Sequence, residues 1–198
     1  MNFENRCFEI SHWITKPLRH NTQFIGLNRQ TGWANLKDLY NFIKSGIKWE
    51  EFIEIIIEIC NPTDVKHKVR FQMDTEGVVD NWKIRALQGH SIKSINIDDH
   101  EVVTDLSIKL VHGTLMKNIK SIRKTGLSRF YRNHIHFCSV AAPTLVTHMK
   151  DRRAEVYLFI TVKKLIENGF EVMRSPNNVY LVCTDCIPYD LFEESNYL

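Results

Sequence analysis

The sequence lacks the features of a membrane-spanning or secreted protein. None of its apolar runs reaches the roughly 18 residues that a transmembrane helix needs. Its longest apolar stretches, Val156–Ile160 and Val179–Cys183, have the length of buried β-strands. The chain opens on polar residues, without the apolar core of a signal peptide. We therefore expect no membrane association and a location inside the cell, in the cytoplasm or the nucleus.

Cysteine usage argues against a disulfide framework. The five cysteines are an odd number and are scattered along the chain. Cys183 and Cys186 have the C-x-x-C spacing of zinc and redox sites, but a closed zinc site needs about four ligands and no second such pair follows. The sequence favours two ordinary reduced thiols over a structural metal, and we expect no metal ion.

Several motifs of nucleotide-binding and hydrolytic enzymes are also missing. There is no P-loop, no G-x-G-x-x-G and no G-x-S-x-G elbow, and no pair of carboxylates stands out as acid and base. The conspicuous polar residues form clusters of Arg, His and Gly. Such cationic and neutral donors favour chemistry that positions and neutralises an anionic substrate, which needs no strong general base.

Positive charge is modest overall but concentrated in one segment. The formal net charge of +3 does not by itself indicate a nucleic-acid binder. Between Lys117 and Arg132 there is no Asp or Glu. The cations of this run are Lys117, Lys120, Arg123, Lys124, Arg129 and Arg132. The run is either a solvated helix face or a phosphate-binding surface.

The first half of the chain predicts helices followed by a β-hairpin. The expected helices are about Glu4–Leu18 with Pro17 near its end, one from the N-cap Asn35 to Gly46, and roughly Trp49–Cys60 burying Phe52, Ile53, Ile56 and Ile59. Strands are expected at Val69–Met73 and Trp82–Ala86, with a turn between them. Three helices plus a hairpin is the winged-helix pattern.

The second half predicts a small sheet with short helices between its strands. The expected strands are Leu110–Val111, Ile135–Cys138, Val156–Ile160 and Val179–Val182, and the expected helices are Leu115–Thr125 and Val162–Asn168. Segment Ile92–Asp105 is the natural join. The sequence thus indicates an α+β protein with domains 1–97 and 98–198.

His112, Gly113 and Thr114 form the most specific single cluster. They are expected to leave a short strand and enter a helix near Leu115. Free N–H groups at a helix start, a Gly for close approach and a Thr hydroxyl suit a phosphate or a ribose. Further on, strand alternation places His134 and His136 on one face, where they suit polar contact with a ligand better than a metal site.

Other clusters allow two interpretations each. Arg19 and His20 end a predicted helix, where basic residues either complement the helix dipole or bind a ligand. Arg70, in a predicted strand, is either an exposed-face residue or an anion ligand. Arg85 and the following turn Gln88–Ser91 add hydrogen-bond donors, with a Gly that allows close approach of a ligand.

Taken in order, these clusters resemble the RNA 2′-phosphotransferases of the KptA type. The resemblance runs from about Ile10 to Leu191. Its landmarks are Leu18-Arg19-His20, Gly32-Trp33, Arg70-Phe71, Ile84-Arg85-Ala86, Gln88-Gly89-His90-Ser91, His112-Gly113-Thr114, Gly126-Leu127, Arg132-Asn133-His134-Ile135-His136 and Ser175–Val179. Each is short, but their common order is specific.

The resemblance implies an N-terminal winged-helix lobe for RNA and a C-terminal NAD-binding lobe of the ADP-ribosyltransferase type. By motif, the Arg-His-Arg-Arg tetrad that grips the transferred phosphate falls on Arg19, His20, Arg70 and Arg132. The NAD-site motif falls on His112, Gly113, Thr114 and His136, with Ser139 displaced by one position from the family pattern. Arg85, His90 and Ser91 are assigned to phosphate or RNA contacts.

The resemblance also implies the reaction. An internal RNA 2′-phosphate, as at a tRNA splice junction, is transferred to NAD as co-substrate. The products are RNA with a 2′-hydroxyl, ADP-ribose 1″,2″-cyclic phosphate and nicotinamide. We expect a monomer with catalysis between the lobes. The alternatives are an ADP-ribosyltransferase that modifies terminal phosphates of nucleic acids, and a winged-helix nucleic-acid-binding module without catalysis.

Overall fold

A computed structural model describes residues 2–21, 23–63, 69–96, 100–151 and 153–198. It divides into two compact units, Met1–Asp98 and Asp99–Leu198. Both contain helices and strands, which confirms the α+β prediction. The predicted domain boundary between 97 and 98 lies outside the described residues. The winged-helix and ADP-ribosyltransferase assignments stay predictions, as does the role of each lobe. No helix in the described ranges has the length and apolar character needed to cross a membrane.

The helices of the N-terminal unit follow the sequence closely. They are α1 (Phe3–Arg19), α2 (Leu36–Ile43) and α3 (Trp49–Cys60). The side chain of Asn35 caps α2 as predicted, accepting hydrogen bonds from two backbone N–H groups. Helix α1 continues through Pro17, and α2 ends before Gly46 because Lys44 adopts a left-handed conformation with φ of 47°. On α3, Ile55 is fully buried where the sequence predicted Ile53.

The N-terminal unit also contains a small antiparallel sheet. Its strands are β1 (Ala34–Asn35), β2 (Phe71–Asp74) and β3 (Lys83–Ala86), in the order β1-β3-β2. Phe71 pairs with Ala86, so β2 starts later than the predicted Val69. Arg70 therefore precedes the strand, although its carbonyl still accepts a hydrogen bond from the N–H of Leu87 at 3.1 Å. The unit's core lies between the sheet and the helices.

The C-terminal unit is built on a larger sheet than the sequence predicted. Its strands are β4 (Glu101–Val102), β5 (Lys109–Thr114), β6 (Leu127–Ser128), β7 (Ile135–Ser139), β8 (Val156–Thr161), β9 (Val172–Arg174), β10 (Tyr180–Val182), β11 (Cys186–Ile187) and β12 (Glu193–Ser195). Its helices are α4 (Met116–Thr125), α5 (Leu145–Asp151) and α6 (Val162–Glu167). The main sheet has the order β12-β8-β5-β7-β10-β9-β4, and β6 pairs with β11.

The elements that the sequence did not predict are mostly short. Strands of two or three residues carry too little alternation to be recognised, and they form here because a longer neighbour offers a hydrogen-bonding edge. Strand β4, which pairs with β9, lies in segment Ile92–Asp105, which the sequence predicted to be only the linker between the two domains. One apolar cluster of this unit includes Leu110, Phe137 and Leu158, and a second includes Val111, Cys138 and Met149.

Candidate functional site

Arg19 and His20 lie together at the C-terminal end of α1. Arg19 is the last helical residue, and its guanidinium lies over the ring of Phe71, 5.8 Å from the centroid. His20 follows as the C-cap and is exposed. Its Nδ1 lies 3.1 Å from Oγ of Ser91. Two predicted tetrad members and a predicted phosphate contact are thus neighbours in the N-terminal unit.

The turn at Gly89 and Ser91 holds the end of α1 in place. The N–H of Ser91 donates to the carbonyl of Arg19 at 3.0 Å, and its hydroxyl lies 3.4 Å from the same oxygen. Gly89 has φ of +89°, and a β-carbon there would lie 3.3 Å from Nη1 of Arg19. A side chain at Gly89 would therefore be strained and would press on the guanidinium. The group that approaches Gly89 closely is therefore the side chain of Arg19.

Arg85 is more deeply buried than a simple surface phosphate contact. It is 5% exposed, its Nε donates to Oε1 of Gln72 at 2.8 Å, and its guanidinium stacks 4.5 Å from the centre of the Trp33 ring. Cation–π and hydrogen-bond contacts of this kind tie β3 to the segment before β1. His90 is also buried. Their predicted contacts to RNA or phosphate stay predictions.

Arg70 also borders a cavity that lies along α1 and α3. Its side chain is partly buried, and the cavity measures about 450 Å³, with Cys7, Phe8 and Ile59 among the neighbours. Arg70 is nevertheless adjacent in sequence to Phe71, whose ring faces Arg19. Membership of Arg70 in the tetrad stays a prediction. Segment 64–68, which precedes it and departs from the family pattern, lies outside the described residues.

His112, Gly113 and Thr114 lie inside β5, which corrects the expectation that they leave a strand. Gly113 does not serve ligand approach through a special backbone conformation. A β-carbon there would overlap Sδ of Met149 and lie 2.8 Å from Cβ of Ala154. Gly113 is therefore needed for the packing of α5 and the segment after it against the sheet.

The first backbone N–H group of α4 already has a carboxylate partner. The backbone N–H of Met116, in the first turn, donates to a carboxylate oxygen of Glu155 at 2.7 Å. A carboxylate at this position already complements the helix dipole. The expectation of a free N–H group for a phosphate is therefore wrong at Met116, because Glu155 occupies it. Glu155 is 39 positions away in the sequence, so this contact could not be foreseen.

The predicted NAD-site residues cluster where two strands separate. In the described sheet, β5 pairs with β7 at Leu110–Ser139 and Val111–Cys138, and beyond that point β7 pairs with β10 alone. The side chain of His112 bridges the gap, with Nδ1 at 2.9 Å from the carbonyl oxygen of His136. The polar side chains at this point are therefore candidates for contact with a ligand.

The bridge defines the tautomer of a neutral His112. A carbonyl oxygen only accepts, so Nδ1 is the donor in this bond, and in the neutral ring Nε2 is then an acceptor. Two residues along the strand, the hydroxyl of Thr114 accepts from Nδ2 of Asn118 at 3.2 Å. Its own proton is then available to a ligand. An acceptor and a donor on the same strand face match the hydroxyl groups of a ribose.

The histidines and the serine around β7 differ in their burial and in their position relative to the strand. His136 is buried on β7, and Ser139 ends that strand with its Oγ accepting from the N–H of Ala141. His134 precedes the strand, and its ring faces that of His100 with centroids 6.0 Å apart. Strand β7 begins at Ile135, so His134 lies just before it, and that His134 shares a face with His136 stays a prediction.

Arg132 is exposed on a turn that Arg129 holds in shape. The guanidinium of Arg129 donates to the carboxylate of Asp185 and, through Nη1, to the carbonyl of Arg132 at 2.6 Å. The N–H of Arg132 returns a hydrogen bond to the carbonyl of Arg129 at 3.1 Å. Sequence reasoning missed this clamp because Arg129 and Asp185 are far apart along the chain.

The basic run is only partly available to an anion. Arg123 donates to Glu194 through two nitrogens, at 2.6 and 3.2 Å, and these bonds, with one from Tyr189, lower the pKa of Glu194. Arg129 is paired with Asp185. In the described ranges, Lys117, Lys120 and Lys124 are exposed and make no ion pair. Part of the run thus stabilises the fold, and part remains a cationic surface.

The described residues contain no group of three or more His, Cys, Asp or Glu side chains that could hold a metal ion. At the C-x-x-C pair, the thiol of Cys186 donates to the carbonyl of Thr125 at 2.8 Å, and Cys183 is exposed. Cys186 therefore serves to pack against the end of α4.

Comparison with known proteins identifies the family. A profile of the RNA 2′-phosphotransferase, Tpt1/KptA family matches residues 5–184, which is most of the chain. The chain belongs to this family. Its members are transferases, so the prediction of an enzyme is confirmed at that level. The family match spans both units of the fold.

Individual members of the RNA 2′-phosphotransferase family are similar over nearly the whole chain. A probable RNA 2′-phosphotransferase of Fusobacterium nucleatum is 30% identical over 181 residues, covering 91% of this chain and 94% of that protein. A putative tRNA 2′-phosphotransferase of Schizosaccharomyces pombe is 33% identical over 186 residues, 89% of this chain and 47% of its own length. The tRNA 2′-phosphotransferase 1 of Danio rerio is 27% identical, with 93% and 81% covered.

Proposed function

We propose that this member of the RNA 2′-phosphotransferase family transfers an internal RNA 2′-phosphate, as on a spliced tRNA, to NAD. The observation that carries the proposal is the arrangement at the end of α1. There the guanidinium of Arg19 lies against Gly89, and His20 is bonded to Ser91. A partly buried guanidinium and an imidazole on consecutive residues, held by the same turn, are suited to grip a phosphate without reorganisation.

The proposed roles follow from the chemistry of the side chains. Arg19, Arg70 and Arg132 bind the phosphate oxygens and keep their charge throughout, because a guanidinium is not deprotonated in proteins. His20 has Nδ1 engaged by Ser91, so any proton it exchanges with the phosphate passes through Nε2. The residues need no strong base, since the attacking group is already an anion.

The residues at the gap between β5 and β7 fit a dinucleotide as second substrate. His112 offers an acceptor and Thr114 a donor, which suits a ribose. NAD would supply a ribose carbon from which nicotinamide departs as the RNA 2′-phosphate attacks, and a hydroxyl that then displaces the RNA 2′-oxygen from phosphorus. The products of the two steps are 2′-hydroxyl RNA, ADP-ribose 1″,2″-cyclic phosphate and nicotinamide. His136 and Ser139 would complete this site, and Arg85 and His90 would support the RNA side.

The decisive experiment uses a short RNA with one radiolabelled internal 2′-phosphate, incubated with the enzyme with and without NAD. The expected result is NAD-dependent transfer of the label to a cyclic ADP-ribose phosphate. Label that remains on RNA as an ADP-ribosylated species in the wild type would instead indicate an ADP-ribosyltransferase. Failure to bind NAD at any concentration would point to a binding module and contradict the proposal.

Arg132→Ala is expected to slow the second step by about 100- to 1,000-fold, because one cation that offsets the developing charge is removed. The ADP-ribosylated RNA intermediate should then accumulate and be visible on a denaturing gel. Lys117→Ala, a change in the same basic run, should turn over at the wild-type rate. Undiminished turnover by Arg132→Ala would show that this residue is not in the tetrad.

A further inference from the structure

The turn that carries Arg132 also presents two aromatic side chains to solvent. Phe130 is 79% exposed and Tyr131 is 86% exposed, and no ring contact is made by either within the described chain. Two adjacent, largely exposed aromatic rings form a contiguous apolar patch, and such patches mark interaction sites. Neither residue belongs to the motifs that carry the family resemblance.

The backbone of this turn holds Phe130 in an unusual conformation. Phe130 has φ of 52°, a left-handed conformation that is costly for a bulky side chain. The conformation is held by the N–H of Phe130, which donates to Oγ of Ser128 at 3.0 Å, and by the contacts of Arg129 with Asp185 and with the carbonyl of Arg132. Strain that the surroundings maintain is typical of a functional site.

The neighbourhood is cationic and therefore complements RNA. Arg132 follows the two rings directly, and Lys124 lies at the end of the preceding helix α4. The carboxylate of Asp185, which contacts the turn, is neutralised by Arg129. Aromatic rings beside cations bind single-stranded nucleic acid, because bases stack on the rings while the cations meet the phosphates.

We propose that Phe130 and Tyr131 form a stacking platform for the nucleobases that flank the 2′-phosphate of single-stranded RNA. The inference rests on the proposed function, since Arg132 is the residue that would place the phosphate beside the platform. It adds an RNA contact on the C-terminal unit, which the family resemblance assigns to NAD. Phe130 and Tyr131 would then set the preference for an unpaired substrate.

The test measures RNA binding in the absence of NAD, by fluorescence anisotropy with a short single-stranded RNA that carries one internal 2′-phosphate. Tyr131→Ala is expected to raise Kd by about 5- to 100-fold, the usual effect of one lost stacking partner. Phe130→Gly removes the other ring and retains the left-handed backbone, and should have a similar effect. Tyr197→Ala, a change of an equally exposed tyrosine at 84%, is the matched control and should bind as the wild type does.

A second substrate separates stacking from a structural role. The same RNA with abasic riboses on both sides of the 2′-phosphate should bind the wild type weakly. Tyr131→Ala keeps one ring, so its affinity should fall by a smaller factor on this RNA than the affinity of the wild type does. If the abasic riboses lower the affinity of the wild type and of Tyr131→Ala by the same factor, the proposal is overturned. It is also overturned if both ring variants bind intact RNA with wild-type affinity. Weakened NAD binding with unchanged RNA binding would assign the rings to the dinucleotide and overturn it too. A wild type that binds RNA through these rings but does not transfer phosphate would refute the proposed function alone.

Discussion

Gly113 has no room for a side chain, because a β-carbon there would meet the buried Met149 and the partly buried Ala154. Gly113→Ala is expected to lower the free energy of unfolding by about 1–3 kcal/mol, the usual cost of overpacking a core. Urea denaturation followed by circular dichroism measures it. The double variant Gly113→Ala/Met149→Ala should recover part of that loss relative to Met149→Ala. Full additivity of the two changes would contradict the packing explanation.

Cys60 makes a second prediction at the residue scale, through its titration. Burial raises the pKa of this thiol to about 12 in the folded protein, from an ordinary value of 9.0. The proton is therefore held more tightly in the folded state, so the stability it contributes is complete below about pH 9 and is lost as the pH rises toward 12.

Relative to Cys60→Ala, the wild type should lose about 1 kcal/mol between pH 9 and pH 10, measured by urea denaturation at each pH. The comparison cancels the titration of lysines and tyrosines, which both proteins share. Parallel stability curves for the two proteins across this range would show that Cys60 titrates normally when folded.

At the scale of elements, α2 and α3 differ in how they begin. Asn35 caps α2 with hydrogen bonds to the N–H groups of Lys37 and Asp38 at 2.9 and 3.1 Å, and its amide donates to the carbonyl of Asp80 at 2.8 Å. Lys48, at the same position before α3, makes no capping bond with its side chain.

Asn35→Ala should therefore cost about 1–2 kcal/mol of unfolding free energy, whereas Lys48→Ala should change it by less than about 0.5 kcal/mol. Both values come from denaturation of the full chain. Equal effects of the two substitutions would mean that the cap and the bond to Asp80 contribute little.

The whole molecule distributes its predicted catalytic residues over both units. Each unit has its own apolar core, and each has about the length of a small independent domain. Arg19, His20 and Arg70 belong to the N-terminal unit, and Arg132 belongs to the C-terminal unit. The proposed reaction needs all four.

Fragments 1–98 and 99–198 should therefore each unfold cooperatively on heating, as seen by circular dichroism, and neither should transfer the RNA 2′-phosphate. The full chain is the positive control for activity. Phosphate transfer by the C-terminal fragment alone would show that the tetrad is assigned wrongly.

Local patterns were sufficient for several features of the chain. Periodicity and capping act over a few positions, so features that depend on neighbouring residues could be predicted. These are the bounds of α3, the Asn35 cap and the strands of the β2–β3 hairpin. The order of the Arg, His and Gly clusters was sufficient for the family, which the profile match confirms over residues 5–184. The sequence by itself therefore determined the helices of the N-terminal unit, the α+β class and the family.

Only the tertiary structure decided what the site residues contact. In the structure, Gly113 is required for packing against Met149, and the first N–H group of α4 donates to Glu155. Arg129 pairs with Asp185 and so supports the turn that carries Arg132. Each of these contacts joins residues dozens of positions apart, brought together by the pairing of strands. No local pattern records such pairs, because the free energy that selects them is gained only when the sheet and its core are complete.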